Sequence, residues 1–454
     1  MNWSMTPAQI WVHLKQVLLV LPCTIPLSIL EVALRNALNI HLSNIVSDVW
    51  YEDDFLTKDS IEKVSQAKSL LIKRREKTDK EKIIAELSFG FWVNLFKKPY
   101  DKKLRINDIK TIFPNLPNKD EKLINREDLT EEEMVEAMDS IMEGKVSEIE
   151  LSSFLTSLKM KGETIDEITG GARVMRAKAS SITTAHNYTV DTCGTGGDGL
   201  HTYNISTTVA FILAAAEVPV VKHGNRSVSS KSGSADVLEA LGVNIGLNPQ
   251  EVEECVDKVG IGFLFAPTFH GAMKYAGPVR KTLGFRTIFN MLGPLTNPAG
   301  AKGQVVGVYN ESLTETFANV LKNLGTERAL VVHGLDGLDE ISISTKTKIS
   351  ELKDGEIKTY FIEPEEFGMK KYGINEIKGG EAKENAEILK DLLQDKLQGA
   401  KKEILLLNAG AALYVGKKAE SLVEGIKLAD ELIKNGSAYK KLEELIQYTK
   451  DVAK

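Results

Sequence analysis

The run Asp191-Thr-Cys-Gly-Thr-Gly-Gly-Asp-Gly199 constrains the fold more than any other stretch of the chain. Three glycines in Gly194-Thr-Gly-Gly197 let a backbone bend tightly and approach a ligand without Cβ clashes. Successive exposed N–H groups in such a turn form a nest for anions. Asn204-Ile-Ser-Thr207 then opens the apolar helix Val209–Ala216. Ser206 and Thr207 therefore stand at a helix N-terminus, where free N–H groups and the helix dipole favour phosphate. A strand-turn-helix corner with no ligand fits the same residues. The run is not a Walker loop, because no Gly-Lys-Ser/Thr follows, and its spacing is not that of the dinucleotide fingerprint.

From about Thr189 onward, short apolar runs rich in β-formers alternate with helical stretches. Val218–Val221, Gln304–Tyr309, Ala329–His333 and Glu403–Asn408 are such runs. The alternation predicts an α/β domain with a largely parallel sheet. Behind Val218–Val221 comes Lys222-His-Gly-Asn-Arg-Ser-Val-Ser-Ser230, then Lys231-Ser-Gly-Ser234. Its cations and hydroxyls at a strand end suit a polyphosphate, the position at which open α/β sheets place ligands; a solvated loop is the other reading. Asp236 then begins a helix to Leu241 that Gly242 ends. Gly337-Leu-Asp-Glu340 puts adjacent carboxylates after another strand, which suits Mg²⁺ and equally suits a solvated turn. Pro267 to Arg280 carries His270 and Arg280, and Arg280 can grip a carboxylate in bidentate fashion or lie on a helix surface.

The chain has 454 residues, which at about 150 per domain suggests two to four domains. Residues 1–120 hold 18 Lys+Arg and 14 Asp+Glu, net +4, and the remainder holds 39 and 49, net −10. Every tryptophan (Trp3, Trp11, Trp50, Trp92) lies in that first part, and Gly90 is its only glycine. The domain break is expected near Phe113-Pro-Asn-Leu-Pro-Asn118, a turn-forming run. Ile29–Leu42 and Ile83–Phe96 read as helical. Thr130-Glu-Glu-Glu133 is a capping-box signature for a helix through Met142, stopped by Gly144. Further helices are expected over Ser147–Met160, closed by Gly162, and over Thr164–Ala179. A composition 43% hydrophobic and 26% charged excludes a wholly disordered chain, and Cys23, Cys193 and Cys255 cannot staple one this long. Val17–Leu34 is broken by Pro22 and Pro26 and carries Glu31, too short a run to span a membrane. Lys15 is the only cation before it and no cleavage site follows, so a cytoplasmic protein is expected.

Together these clusters resemble the anthranilate phosphoribosyltransferases from about Lys119 to the C-terminus. Asp191–Asp198, Asn204–Thr207, Lys222–Ser234, Arg286-Thr-Ile-Phe-Asn-Met-Leu-Gly-Pro-Leu-Thr-Asn297 and Leu338-Asp-Glu340 match that family's motifs in order. The resemblance implies the class IV phosphoribosyltransferase fold, shared with the nucleoside phosphorylases: a small helical domain over 118–185, a large α/β domain over 186–454, and an active site in their cleft. It implies transfer of the 5-phosphoribosyl group of phosphoribosyl pyrophosphate to the amino group of anthranilate, the second step of tryptophan biosynthesis from chorismate. About two Mg²⁺ per site and a homodimer built through the helical domain come with it. By motif, Gly194, Gly197, Asp198 and Thr202 would line the donor. Asn204, Ile205, Ser206 and Thr207 would hold its pyrophosphate and ribose. Lys222, His223, Gly224, Asn225, Arg226, Ser227, Val228, Ser229, Ser230 and Ser234 would close over the phosphates. Ser206, Asp339 and Glu340 would bind the metal, and Gly194, Asn225 and Arg280 would position anthranilate beside His223. Lys222, His223 and Arg280 are the residues this assigns to catalysis. The acceptor amino group of anthranilate is aromatic and already unprotonated at pH 7, so orientation serves it more than a strong base. Pyrimidine nucleoside phosphorylases share the architecture but lack the Lys-His-Gly-Asn-Arg run with the adjacent acids.

Residues 1–117 resemble instead the Abi-like proteins of the HEPN helical type. Leu30–Asn39, Ile83–Asn94 and Phe113-Pro-Asn115 carry that likeness. Arg35 and His41 have the spacing some HEPN domains use to cut RNA, although six residues turn an ideal helix by about 600° and leave the two side chains about 120° apart. Arg105 stands where tryptophan is expected, and the family's first transferase helix is trimmed to Asn118–Arg126, which bears on dimerisation. A nucleic-acid-binding or RNA-cleaving protein acting through residues 1–117 is the alternative expectation. The transferase part's net charge of −10 speaks against nucleic acid there.

Overall fold

The structure, a computed structural model, describes residues 35–36, 38–44, 46–52, 55–87, 91–92, 95, 127–227 and 231–452. The chain divides into two compact units. One comprises Met1–Asp128, Ser147–Gly162 and Pro278–Thr287, the other Leu129–Val146, Glu163–Gly277 and Ile288–Lys454. Cys23, Arg105, the expected turn at 113–118 and the trimmed helix at 118–126 lie outside the described residues.

In the first unit, Thr57 and Asp79 cap helices Lys58–Lys73 and Lys80–Glu86 by accepting from the Ser60 and Lys82 amides. Val64, Ala67 and Leu71 recur at helical spacing and join a core with Trp50, Phe91 and Trp92. Trp50 donates Nε1–H to Asn39 Oδ1 at 3.0 Å, and Trp92 donates to the Leu87 carbonyl at 3.2 Å, so both buried rings keep their polar edge satisfied. The Ser147 helix runs over Glu148–Lys161 with its capping box, ends at Gly162 with φ 90°, and Met160 packs on the same core.

The second unit opens with helix Glu131–Met142, capped by the expected Thr130–Glu133 box, and includes Ile165–Lys178. Its described strands form one sheet: β1 (Val190–Gly194), β2 (Val220–Gly224), β3 (Ile261–Phe265), β4 (Gly303–Gly307), β5 (Arg328–Gly334), β6 (Thr347–Lys353) and β7 (Glu356–Ile362). The order is β3-β2-β1-β4-β5-β6-β7. Strands β1 to β5 pair in parallel, while β5–β6 and β6–β7 are antiparallel. The largely parallel expectation therefore holds for β1 to β5, and the far edge is a hairpin. Asp354 and Gly355 turn it, both with positive φ, as tight hairpins require.

Glu403–Asn408, expected as a β-rich run, is helical instead, part of Ala400–Val415. Every residue from Ile404 to Val415 is buried, so this helix has no polar stripe to betray its period, and a short apolar run reads equally as a buried strand. We label the site-forming helices α1 (Ile205–Ala215), α2 (Ser234–Ala240), α3 (Ala382–Leu393) and α4 (Ala400–Val415). Helix α1 packs on α4 and β1. Helix α2 starts two residues before the expected Asp236. The strand order reverses at β1, which lies between β2 and β4. Crevices beyond strand C-termini at such a reversal are where doubly wound sheets bind ligands.

Candidate functional site

Strands β1 and β4 both end on a glycine at the reversal, and the loop after β5 fills the space their absent side chains leave. A Cβ on Gly194 would stand 2.5 Å from Asp339 Oδ2, and one on Gly307 would stand 1.5 Å from the Asp339 carbonyl oxygen. The Gly196 amide donates to Asp339 Oδ2 at 2.8 Å. Next along, the Ser206 amide, in the first turn of α1, donates to Glu340 Oε1 at 3.2 Å. The glycine loop, the α1 N-terminus and the acid pair thus meet. Gly196, Gly197 and Gly199 all take positive φ, which only glycine adopts without strain. Asp198 accepts from the Leu200 amide at 3.2 Å, and Thr202 forms an isolated antiparallel bridge with Lys378.

Burial, then the charge of Asp198, pushes the Asp339 carboxyl up to about 7, and burial, then Asp339, pushes Glu340 up to about 8. Two buried like charges side by side call for a cation. Lys222, buried midway along β2, supplies part of the answer: its ammonium donates to the Thr192 carbonyl and lies in the fields of Asp191 and Glu340. Burial lowers the Lys222 pKa and raises that of Asp191, in each case outweighing their mutual attraction. Among the described residues no group of three or more His, Cys, Asp or Glu could hold a metal ion alone. Asp339, Glu340 and the Ser206 hydroxyl instead fit a hard divalent cation that completes its shell with ligand oxygens, the habit of Mg²⁺.

Asp191, fully buried in β1, fixes the β2 end. It accepts from the His223 amide at 3.2 Å and from Asn297 Nδ2 at 2.7 Å, and the same Asn297 group donates to the Val221 carbonyl at 2.7 Å. The His223 ring turns to His270, their Nε2 atoms 3.2 Å apart. Burial, then the neighbouring His270, brings His223 down to about 3, and burial brings His270 to about 4. Both rings are neutral at pH 7.

Further along, Asp236 ties the β2 loop by accepting from the Ser227 and Gly233 amides at 2.9 Å each. Ser234 Oγ donates to the Asn225 carbonyl at 3.3 Å, and a Cβ on Gly224 would collide with that hydroxyl. Asn225 is exposed and accepts from the Arg226 amide at 2.7 Å. Arg226 points its guanidinium at Asp236 and Glu239, at 3.1 and 2.8 Å. Ile205 and Thr207 are buried. Val228, Ser229 and Ser230 lie outside the described residues. Arg280 belongs to the first unit, half-buried on the short helix Gly277–Leu283, and burial lowers its pKa.

Asn204 precedes α1 yet makes no side-chain cap. Its Nδ2 donates to the Ser232 carbonyl at 3.1 Å, and its Oδ1 accepts from buried Asn385 of α3 at 3.0 Å. Sequence reasoning missed Gly307, Asn385 and Asn408. The available signals were a glycine ending an apolar strand run and asparagines inside helix-forming stretches.

The family model described as glycosyl transferase family, a/b domain, matches residues 186–439, and that described as glycosyl transferase family, helical bundle domain, matches residues 121–179. An anthranilate phosphoribosyltransferase of Acetivibrio thermocellus is 57% identical over 328 residues, covering 72% of this chain and 95% of the relative. The crystal structure of the enzyme of that name from Thermus thermophilus has a TM-score of 0.70 at 42% identity, covering 74% of this chain and 100% of that one. The Saccharomyces cerevisiae enzyme in complex with PRPP and Mg has a TM-score of 0.67 at 28% identity, covering 73% of this chain and 96% of that one.

Proposed function

We infer the reaction from one premise: the chain belongs to the anthranilate phosphoribosyltransferases of the glycosyl transferase family. It transfers the 5-phosphoribosyl group of phosphoribosyl pyrophosphate to the amino nitrogen of anthranilate and releases pyrophosphate. The observation that carries this reading is the meeting of the glycine loop, the α1 N-terminus and the buried Asp339–Glu340 pair at the strand reversal.

In the reaction the C1′–O bond breaks with its electron pair going to pyrophosphate, the amine nitrogen forms the C1′–N bond, and the nitrogen gives one proton to water. Asp339, Glu340 and Ser206 would hold Mg²⁺, about two ions by likeness to the family, and bound Mg²⁺ would neutralise the leaving pyrophosphate. By likeness to the family the Gly194–Gly197 loop and the first turn of α1 would face the phosphates, with the Gly196 and Ser206 amides holding Asp339 and Glu340 beside them. Lys222 adds a fixed cation in a buried setting, where it acts more strongly than in water. His223, neutral and engaged with His270, is too weak a base to be obligatory and orients the acceptor instead. Arg280 is assigned to the anthranilate carboxylate on the family likeness alone. The remaining donor contacts are assigned to Gly197, Asp198, Thr202, Asn204 and the loop Gly224–Ser234 on the same ground.

The family matches over 121–179 and 186–439 support a helical domain over 118–185 and an α/β domain over 186–454. A homodimer and a cytoplasmic location are proposed from the family likeness; among the described residues, no helix is long and apolar enough to cross a membrane. For residues 1–117 we propose an Abi-like helical segment, supported by the buried Trp50–Phe91–Trp92 cluster. No observation favours the nucleic-acid alternative. Mixing the full-length protein with phosphoribosyl pyrophosphate, anthranilate and Mg²⁺ tests the reading, since consumption of anthranilate extinguishes its fluorescence. No loss of signal under any Mg²⁺ concentration would refute it.

A further inference from the structure

Helix α4 is buried from Ile404 to Val415, and the run Ile404-Leu-Leu-Leu-Asn-Ala-Gly-Ala-Ala-Leu413 contains a single polar side chain, Asn408. Asparagine is a poor residue for a helix interior, and burying its amide costs free energy unless every group is bonded. A leucine there would favour both the helix and the core. The Asn408 amide is nevertheless satisfied on both sides by one residue of another segment. Its Oδ1 accepts from the Ile341 amide at 2.9 Å, and its Nδ2 donates to the Ile341 carbonyl at 3.0 Å. The same Nδ2 also donates back to the Ile404 carbonyl of its own helix at 2.9 Å. This paired grip copies a β-bridge with a side chain, and it fixes both the position and the rotation of the Ile341 backbone.

Ile341 directly follows Asp339 and Glu340. On its other side the loop is fitted into the gaps over Gly194 and Gly307, and the acids take amides from Gly196 and Ser206. Those amides hold carboxylate oxygens, whereas Asn408 holds main chain just beyond the pair. We propose that Asn408 is a positioning residue for the metal-binding carboxylates: it locks the Leu338–Ile341 segment so that Asp339 and Glu340 are presented together to Mg²⁺ and pyrophosphate oxygens. The proposal rests on the reading of Asp339 and Glu340 as magnesium ligands. Partners that orient ligands typically change metal affinity by about 10- to 100-fold when removed.

The test compares full-length wild type, Asn408→Leu and Asn408→Asp. Calorimetric titration with magnesium pyrophosphate reads binding without turnover, and circular-dichroism melting reads folding. Asn408→Leu removes both bonds while keeping the Cγ-branched shape and is expected to need about 10- to 100-fold more ligand for half-saturation, with the KM for anthranilate unchanged. Asn408→Asp restores both bonds when protonated, since a carboxylic acid offers one donor and one acceptor, and loses the donor when ionised. Relative to wild type at each pH, it should bind well near about pH 6 and weaken toward about pH 9. A cooperatively melting Asn408→Leu that binds within about threefold of wild type overturns the proposal. If that variant does not fold, an Asn408→Asp protein whose affinity follows wild type across the pH range overturns it. Failure of both to fold overturns it as well, because Asn408 would then serve folding alone. A wild type that binds no magnesium pyrophosphate removes the reading of the acid pair and the proposal with it.

Discussion

The acid loop sits where a methyl group on Gly307 would have to be, and the consequence can be worked out. The Cβ of Gly307→Ala would lie 1.5 Å from the Asp339 carbonyl oxygen and 2.4 Å from its carbon. Both are main-chain atoms, so no side-chain rotation relieves the clash. Restoring a contact of about 3 Å displaces the loop by about 1.5 Å. A misplacement of about 1 Å at a catalytic group costs about 100-fold in rate, or about 2.7 kcal/mol of transition-state stabilisation. Since Asp339 and Glu340 move together, kcat/KM should fall by at least about 100-fold. Overpacking should lower stability by about 1–3 kcal/mol, leaving a folded protein to assay. Gly325→Ala is the control, because its Cβ meets nothing within 4 Å and only its positive φ is strained. It should lose stability by about 1 kcal/mol and keep its activity. Steady-state anthranilate fluorescence and calorimetric melting suffice. A folded Gly307→Ala enzyme within about threefold of wild-type kcat/KM would refute the steric argument and the importance of the loop position.

Other predictions follow from the charges in the site. Asp339→Asn with Glu340→Gln should melt no lower than wild type without Mg²⁺, since it removes a buried like-charge pair, yet lose at least about 100-fold in activity; a lower melting temperature with activity kept would contradict both halves. The pKa values of His223 and His270 are held near about 3 and 4, below the ordinary 6.5, so the unfolded chain takes up protons that the folded one refuses. Their contribution to stability is present above pH 6.5 and is lost as pH falls toward those values, so melting temperature should drop between about pH 6.5 and 4, less steeply in His270→Asn. An unchanged slope in that variant would remove the pair from the account. His223→Ala should keep most of kcat, whereas a loss near about 10⁴-fold would make it an essential base.

Much of this site can be read from composition and order alone. The glycine loop and Asp339–Glu340 each follow an apolar strand run, Lys222–Gly224 closes one, and strand C-termini at the reversal are where such clusters converge. What the chain does not announce locally are contacts between distant segments. Gly307 ends an ordinary valine-rich strand, and its meaning lies in a loop more than thirty residues away. Asn385 and Asn408 sit in helices whose neighbours say nothing about Asn204 or Ile341. The helix α4 run reads as a β-type run because burial on every face erases the helical period. Arg226 reads as a phosphate ligand in sequence, and its pairing with Asp236 and Glu239, ten and thirteen residues on, is a contact the sequence does not announce. Capping boxes, by contrast, are local, and the one at Thr130 is legible to the residue.

The measurement that bears most directly on the whole account is the decay of anthranilate fluorescence when full-length protein meets phosphoribosyl pyrophosphate, with and without Mg²⁺. A magnesium-dependent decay is expected, and it should disappear in Asp339→Ala/Glu340→Ala. Fluorescence that stays constant with Mg²⁺ present, or a decay that survives in the double variant, would contradict it.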